Sequence, residues 1–368
     1  MILRGEKGTV FLTTMVVTFL ILMVGSSVFS LCSQELFLAK SLNKATQAQN
    51  LADAGLSEAI AVLSVSFSKK NNPANFPLRT LANGTYDVTV VESGGRVLLK
   101  SAGTVDNIQK TATAEVEDLT PTALNYGEAA GGNIKLDTIF LAMSLINGDL
   151  FANQDVTLKA YFLALIDVNG NVFAGGSATR QGNVDWYSAT SNAGNITFPV
   201  YDFNYYKAIA QANGTYYAAA QTWTNKSFNL NNTGGVLFVD GDVTFWGLNN
   251  SLTGCLVTTG TVRLYGTLTQ AKAANYPTYP AIMTSDKDIL CFSVGKLFAD
   301  GLVYAGKDLS LLGVFSRIKV TGSVIAKGTL KQANLVNYLE INYLAQNPPG
   351  LILPGGATNP TRVKSYNK

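Results

Sequence analysis

Histidine is absent from all 368 residues. This removes the commonest general base and the commonest transition-metal ligand. It also excludes a Ser-His-Asp or Cys-His nucleophile. Cysteine is limited to Cys32, Cys255 and Cys291, which is no disulfide framework. Charged residues make up only 14% of the chain and the formal net charge is +3, too little to argue for a nucleic-acid or acidic partner. Proline does not occur before Pro73, so nothing of that kind breaks a helix in the first seventy residues.

What is present is glycine, 34 residues of it, with many Asn, Thr and Ser. That balance suits a β-rich extracellular protein with many tight turns. The other conspicuous feature is an uncharged run from Gly8 to Gln34, whose core Thr9–Leu31 is long enough to cross a bilayer as a helix. It is too long for a signal peptide, and no small-residue processing site follows it. Polar helix-forming sequence continues instead. Leu38, Leu42, Ala45, Ala48, Ala52, Leu56, Ala59 and Leu63 recur at spacings of three and four, giving one helical stripe. One helix is therefore predicted over residues 9–67, about 88 Å long, with Gly25-Ser26-Ser27 its weakest place. The Ala-rich stretch Ala45, Ala48, Ala52, Ala54 and Gly55 permits close backbone approach.

Thr85–Glu92, Arg96–Val105 and Gln109–Glu117 alternate apolar and polar residues, with Ser93-Gly94-Gly95 as a hairpin turn. They predict a small antiparallel sheet over residues 80–117, and residues 118–132 read as a linker. From 133 to 344 apolar triplets recur: Leu150-Phe151-Ala152, Val172-Phe173-Ala174, Leu237-Phe238-Val239, Leu256-Val257-Thr258, Ile282-Met283-Thr284, Val303-Tyr304-Ala305 and Ile325-Ala326-Lys327. The steps between them are 22, 65, 19, 26, 21 and 22 residues. A period near 20 with Gly, Asp or Asn turns predicts a β-solenoid, in which stacking supplies the core. The step of 26 contains a loop with Pro277 and Pro280, and Asn334–Leu344 is expected to cap the stack. The fold class is thus α+β, mostly β: a long N-terminal helix, a small antiparallel sheet, then a β-solenoid. On this alignment Cys255 and Cys291 fall on different walls. They read either as buried small hydrophobes or as a bonded pair.

The step of 65 holds an aromatic insertion, residues 183–231. It includes Trp186, Tyr187, Tyr205, Tyr206, Tyr216 and Trp223, and Asp202–Ala212 reads as a short helix. These aromatics either form a recognition surface for a protein or carbohydrate or cover an open edge of the stack. Asp167-Val-Asn169-Gly-Asn171 has oxygen ligands at alternate positions, like the start of a calcium loop. It lacks a distal Glu, and turns between coils want Asp, Asn and Gly in any case. Asp240, Asp242, Asp286 and Asp288 are paired carboxylates at the repeated turn. No catalytic, cofactor or metal constellation is assigned, and the chain is not expected to be an enzyme. The tail, 345–368, reads as an extended strap or a disordered end.

A short basic leader (residues 1–8) ending in Gly8, the uncharged segment, and the amphipathic helix with AQNLADAGLSEAIAVL (Ala48–Leu63) resemble a type IV prepilin, specifically the PilX-like class of minor pilins. The resemblance covers roughly residues 1–120. The sheet pattern is similar to PilX-like and pseudopilin head domains, and the solenoid to β-helical outer domains attached to PilX-like anchors. The resemblance implies cleavage by a prepilin peptidase between Gly8 and Thr9, N-methylation of Thr9, an assembly platform and other pilins as partners. It also implies filament contacts through Phe11, Leu12, Thr13, Met15, Leu20 and Leu22. Major pilins carry Glu where this chain has Thr13, and a Thr there neutralises no neighbouring amino terminus. The implied role is a minor, tip or priming subunit. It would begin as a single-pass protein of the cytoplasmic membrane with its C-terminal domain outside. A non-polymerising membrane-anchored adhesin or carbohydrate-binding protein, and a membrane-tethered polysaccharide-active enzyme, are the alternatives.

Overall fold

The computed structural model describes residues 6–65, 67–81, 84–93, 96–345, 348–353 and 361–367. The leader residues 1–5 and the turn glycines Gly94 and Gly95 lie outside the described residues, as do Asn347, Pro354 and Pro360 of the tail. The chain divides into two compact units, Met1–Leu119 with Asn359–Lys368, and Thr120–Thr358.

The first unit is built on one unbroken helix, α1 (Glu6–Val65). Strands β1 (Arg79–Leu81), β2 (Gly84–Ser93), β3 (Arg96–Val105) and β4 (Ile108–Asp118) form an antiparallel sheet. The inward residues of β3 and β4, including Val97, Leu99, Ala112 and Val116, form one core with Ala48, Leu51, Ala52, Leu56, Ala59 and Leu63 of α1. The predicted helical stripe is thus the buried one, but only from Ala48. Leu38 and Leu42 are exposed. The small residues of α1 have a geometric reason. A Cβ built on Gly103 of β3 would lie 2.1 Å from the Ala48 carbonyl oxygen and 2.5 Å from the Ala52 nitrogen. One on Gly55 would meet Ser101 and the Tyr86 ring at 2.5 and 2.6 Å. The tail is not merely a strap: Thr361–Asn367 adds a fifth strand, antiparallel to β4, and the Tyr366 hydroxyl donates to the Asp53 carboxylate.

The second unit is a parallel β-solenoid with three walls. Among the described residues its strand ladders define nine complete coils, and their spatial order is not their sequence order. From one end the coils run 216–229 (coil 1), 236–253 (coil 2), 255–271 (coil 3), 282–300 (coil 4), 303–321 (coil 5), 324–342 (coil 6), 128–147 (coil 7), 150–168 (coil 8) and 172–186 (coil 9), with 188–190 as one further strand. The chain therefore enters in the middle and builds three coils to one end. It then crosses to the other end and returns to the middle. The crossing explains the step of 65. The strand pairings correct three expectations. Asn334–Leu344 does not cap the stack: Leu330–Leu335 and Tyr338–Asn342 pair in parallel with Ile134–Ile139 and Met143–Asn147. Solenoid structure begins inside the predicted linker, at Glu128–Ala130. The triplet of coil 6 is Val324–Ala326, one residue earlier than read from the spacing, because Val303 pairs with Val324.

The triplets line one wall. Their first and third residues, such as Leu150 and Ala152, point into the solenoid core. The middle residues point outward and are nevertheless buried: Phe238, Val257, Met283, Tyr304, Ile325 and Ala129 join a second core with Tyr201, Tyr206, Ala210 and Leu124. The covering layer is the crossover itself. It carries helix α2 (Phe203–Ala212), N-capped by Asp202, whose carboxylate accepts from the Asn204 amide at 2.9 Å. Strand Val200–Tyr201 pairs with Leu351–Ile352 of the tail.

Candidate functional site

The stem helix carries the sequence-predicted assembly residues on one uncovered stretch. Phe11, Leu12, Met15, Leu20 and Leu22 are all exposed, between 55 and 70%. Thr13 is exposed among them. Five hydroxyls in this stretch bond within the helix itself. Thr14 donates to the Phe11 carbonyl at 2.9 Å, Thr18 to Thr14 at 2.7 Å, Ser26 and Ser27 to Met23 at 2.9 and 2.8 Å, and Ser33 to Phe29 at 2.8 Å. Turned back onto the helix, these groups cost little in an apolar surrounding. The helix also continues unbroken through Gly25-Ser26-Ser27, the place expected to be weakest. It is long and apolar enough to cross a membrane, and this window is wholly uncovered within the chain. Gly8 and Thr9 lie inside the helical backbone.

The uncovered stretch outlasts the apolar run, because the sheet reaches only to about Lys44, which pairs with Asp106 at 2.7 Å. α1 thus has two chemically distinct halves. One is satisfied by β2–β4, and the other has apolar side chains on all sides and no covering group among the described residues.

The aromatic candidates do not form one surface. Tyr206 and Trp223 are buried, so they present nothing to a ligand. Tyr206 fills the second core, where its hydroxyl donates to the Pro349 carbonyl and burial pushes its pKa up. Trp223 packs against Tyr217, Phe228 and Phe245 at the coil 1 end. Tyr216 is half-buried and donates to Asp240 at 3.1 Å. Trp186 lies at the opposite end, in coil 9, with the Arg180 guanidinium 5.0 Å from its ring. Tyr187 and Tyr205 are exposed. Trp223 and Trp186 thus lie in the terminal coils at opposite ends of the stack.

The turn carboxylates are structural in this geometry. Asp240 receives Lys207 at 2.6 Å and Thr259 at 3.0 Å; the Lys207 hydrogen bond holds its pKa below the ordinary carboxylate value. Asp242 receives Arg263 at 2.7 Å and the Thr261 amide at 2.8 Å, and is likewise held low, first by Arg263. The same device recurs from coil to coil: the Asp308 amide donates to Asp288, Thr329 to Asp308 and Ser177 to Asp155. Asp155, Asp242, Asp288 and Asp308 each accept from a turn amide of the next coil. The calcium-like motif forms a ladder rather than a cage. Asn169 donates to Asn147 at 2.8 Å, Asn147 donates to Asn342 at 2.7 Å, and the Asn171 amide donates to Asp149 at 2.7 Å. Cys255 and Cys291 are free and buried on different walls, and burial raises both thiols, that of Cys291 to about 12.

A site the sequence reading missed lies between coils 6 and 7. Glu128 is fully buried and its Oε1 accepts from Gln332 Nε2 at 2.5 Å. Beside it Asn334 donates to Ser144 at 2.9 Å, Thr138 and Ser144 share a hydrogen bond at 2.9 Å, and Asn337 donates to Asn334 at 3.1 Å. Polar residues at inward positions of two otherwise apolar coils were the available signal.

A stem-and-sheet unit carrying a parallel β-solenoid is the class of protein that this architecture defines. Among solved structures, the chain is similar to the competence-associated pilin ComZ from Thermus thermophilus, with a TM-score of 0.30 and 14% identity. The match covers 88% of this chain and 97% of that one. No protein-family profile and no curated protein matches the chain.

Proposed function

We propose that the chain is a minor, tip or priming subunit of a type IV pilus or related filament. It waits in the cytoplasmic membrane and then assembles through the uncovered half of α1, displaying the solenoid on the cell surface. The observation that carries this reading is the division of one continuous helix. Its first half is apolar on all sides and uncovered, whereas its second half is fixed beneath a sheet. An anchor needs only the first. A stem that must position a head while passing from lipid to a neighbouring subunit needs both. The resemblance of the leader, apolar segment and Ala-Asp-Ala-Gly block to minor pilins of the PilX-like class supports the same reading. Thr13 fits a subunit that joins a filament without propagating it. The partners are other pilins, the prepilin peptidase that processes Gly8–Thr9, and the assembly platform. The displayed ligand is a surface protein or carbohydrate. The proposal assigns no catalysis.

The test is the N-terminus of the extracted protein, read by sequencing and intact mass. A start at methylated Thr9, with the protein on sheared filaments, is the expected result. An intact Met1, or cleavage beyond Leu31, sinks the filament reading and favours a permanent anchor or a secreted domain.

A further inference from the structure

Every pair of stacked coils is consecutive in the chain except coils 6 and 7, where residues 324–342 lie on residues 128–147. No covalent turn crosses this seam. In the chain, coils 7–9 lead to coils 1–6 through the crossover, residues 191–215. The core at the seam is also polar. Glu128 and Gln332 are 0 and 1% exposed, at inward positions where the neighbouring coils carry Val324, Leu150, Leu311 and Leu136. Gln332 Nε2 donates to Glu128 Oε1 at 2.5 Å, but Glu128 Oε2 and Gln332 Oε1 have no hydrogen-bond partner among the described residues. The pair therefore holds two buried acceptors and no donor for them. One proton on the Glu128 carboxyl supplies a donor and removes the charge. Without it, a carboxylate is buried beside a second unpartnered oxygen with no cation to offset it.

We propose that this seam is a proton-operated joint. Coils 6 and 7 stay stacked while Glu128 holds a proton, and the stack parts between them, into coils 1–6 and coils 7–9, once the proton leaves. The stability of a solenoid is a sum of nearest-neighbour interfaces, so it opens first at the interface that is weakest. The strands around Glu128 bring no other titratable group inward. Lys331 and Glu340 of coil 6, Lys135 and Asp137 of coil 7, and Lys159 and Asp167 of coil 8 all occupy outward positions. Lys327 lies in the turn after the coil 6 triplet. Asp149, whose carbonyl accepts the Glu128 amide at 3.4 Å, turns its carboxylate to the Asn171 amide. Of the tyrosines at this level, Tyr126 packs on Phe151, Tyr343 donates to the Leu124 carbonyl and Tyr338 lies against Arg317. Glu128 is thus the one group in the seam whose charge changes inside the core. Burial, opposed by the weaker effect of Gln332, pushes its pKa up to about 7. The closed seam binds the proton more tightly than the open one, so opening grows with pH up to about 7 and then levels off.

The test is amide hydrogen exchange of the full chain in detergent between pH 5 and 8, read residue by residue as protection over the intrinsic rate. The amides of Val324, Leu330 and Met143 donate across the seam, to Gly127, Asn133 and Asn337, each at 2.9 Å. Those of Ile289 and Leu309 donate between consecutive coils, to Asp308 and Thr329 at 3.0 Å, and serve as controls. Protection of the seam amides is expected to fall roughly 70-fold from pH 5 to pH 8, and that of the controls to stay level. Glu128→Gln, which gives the pair a permanent donor, is expected to hold the seam at its acid protection throughout. A second variant, Asn147→Cys with Asn342→Cys, staples the seam from outside, where the two side chains meet at 2.7 Å. Oxidised, it is expected to abolish the pH dependence, and reduced, to regain it. Seam protection that ignores pH overturns the joint. So does a fall shared equally by Ile289 and Leu309, which marks opening of the whole solenoid. A pH-dependent fall that survives Glu128→Gln assigns the effect to another group and overturns the proposal, as does one that survives the staple.

Discussion

Glu128 gives the solenoid a pH dependence with a definite sign. Its carboxyl is fully buried between coils 6 and 7, with the Gln332 amide as its only hydrogen-bond donor among the described residues and no partner on Oε2. Burial raises its pKa from 4.5 to about 7, against a smaller opposing effect of Gln332. An acid whose folded pKa exceeds its unfolded value binds more protons in the folded state between the two. Stability therefore falls as pH rises through that window, and the increment that protonated Glu128 contributes is fully lost above the folded pKa. The difference of about 2.5 pH units corresponds to about 3 kcal/mol. Glu128→Gln removes the titration while keeping the shape and an oxygen for Gln332. The variant should match the parent near pH 4 and exceed it by about 3 kcal/mol at pH 8. For a unit of this size that is a rise in Tm of roughly 6–12 °C. Thermal unfolding of the full chain in detergent, parent against variant across pH 4 to 8, measures it. A difference that stays constant over that range refutes the reasoning, because a merely structural loss would not track pH.

Three further outcomes follow from packing and accessibility. Gly103→Ala puts a methyl group against the α1 backbone at Ala48 and Ala52, so it should destabilise the first unit by about 1–3 kcal/mol in chemical denaturation. Tyr206→Phe removes one buried hydrogen bond to Pro349 and should cost about 1 kcal/mol with the fold retained, as read by denaturant midpoint. A maleimide probe should label only Cys32 in the folded protein and all three cysteines in denaturant, since Cys255 and Cys291 are buried and their thiols are raised. Folded-state labelling of either solenoid cysteine would contradict the wall assignment.

The repeat and the helical stripe were legible because periodic burial writes itself into periodic sequence. The triplets held more than was read from them. A wall with one wet face alternates, whereas Leu-Phe-Ala, Leu-Phe-Val and Val-Tyr-Ala are apolar throughout, the pattern of strands covered on both faces. The cover was in plain view as the aromatic insertion, but composition alone does not separate a buried Tyr206 from an exposed Tyr205, since adjacent helical positions face different ways. The spatial order of the coils was not legible from spacing. Every coil offers the same parallel ladder on both edges, so periodicity cannot say which edges meet. That information lies in Glu128, Gln332, Asn334 and Ser144, whose mutual hydrogen bonds are available only when coil 6 stacks on coil 7.

The mid-stack entry has a cause in the covalent topology. β4 and Thr361–Asn367 are neighbouring antiparallel strands of one sheet. The whole solenoid is therefore an insertion in the connection between two paired strands. An inserted domain must bring its entry and exit close together. A solenoid wound from one end to the other through nine coils would separate them by roughly 40 Å. Starting at coil 7, winding outward, crossing back and finishing at coil 6 places them on adjacent coils. The two ends meet in the structure: Tyr343, just after coil 6, donates its hydroxyl to the Leu124 carbonyl just before coil 7, at 3.1 Å. The crossover that makes this closure has to run the length of the stack, and the apolar triplet wall is the surface on which it runs. The insertion, the doubly buried triplets and the polar seam are thus three consequences of one requirement.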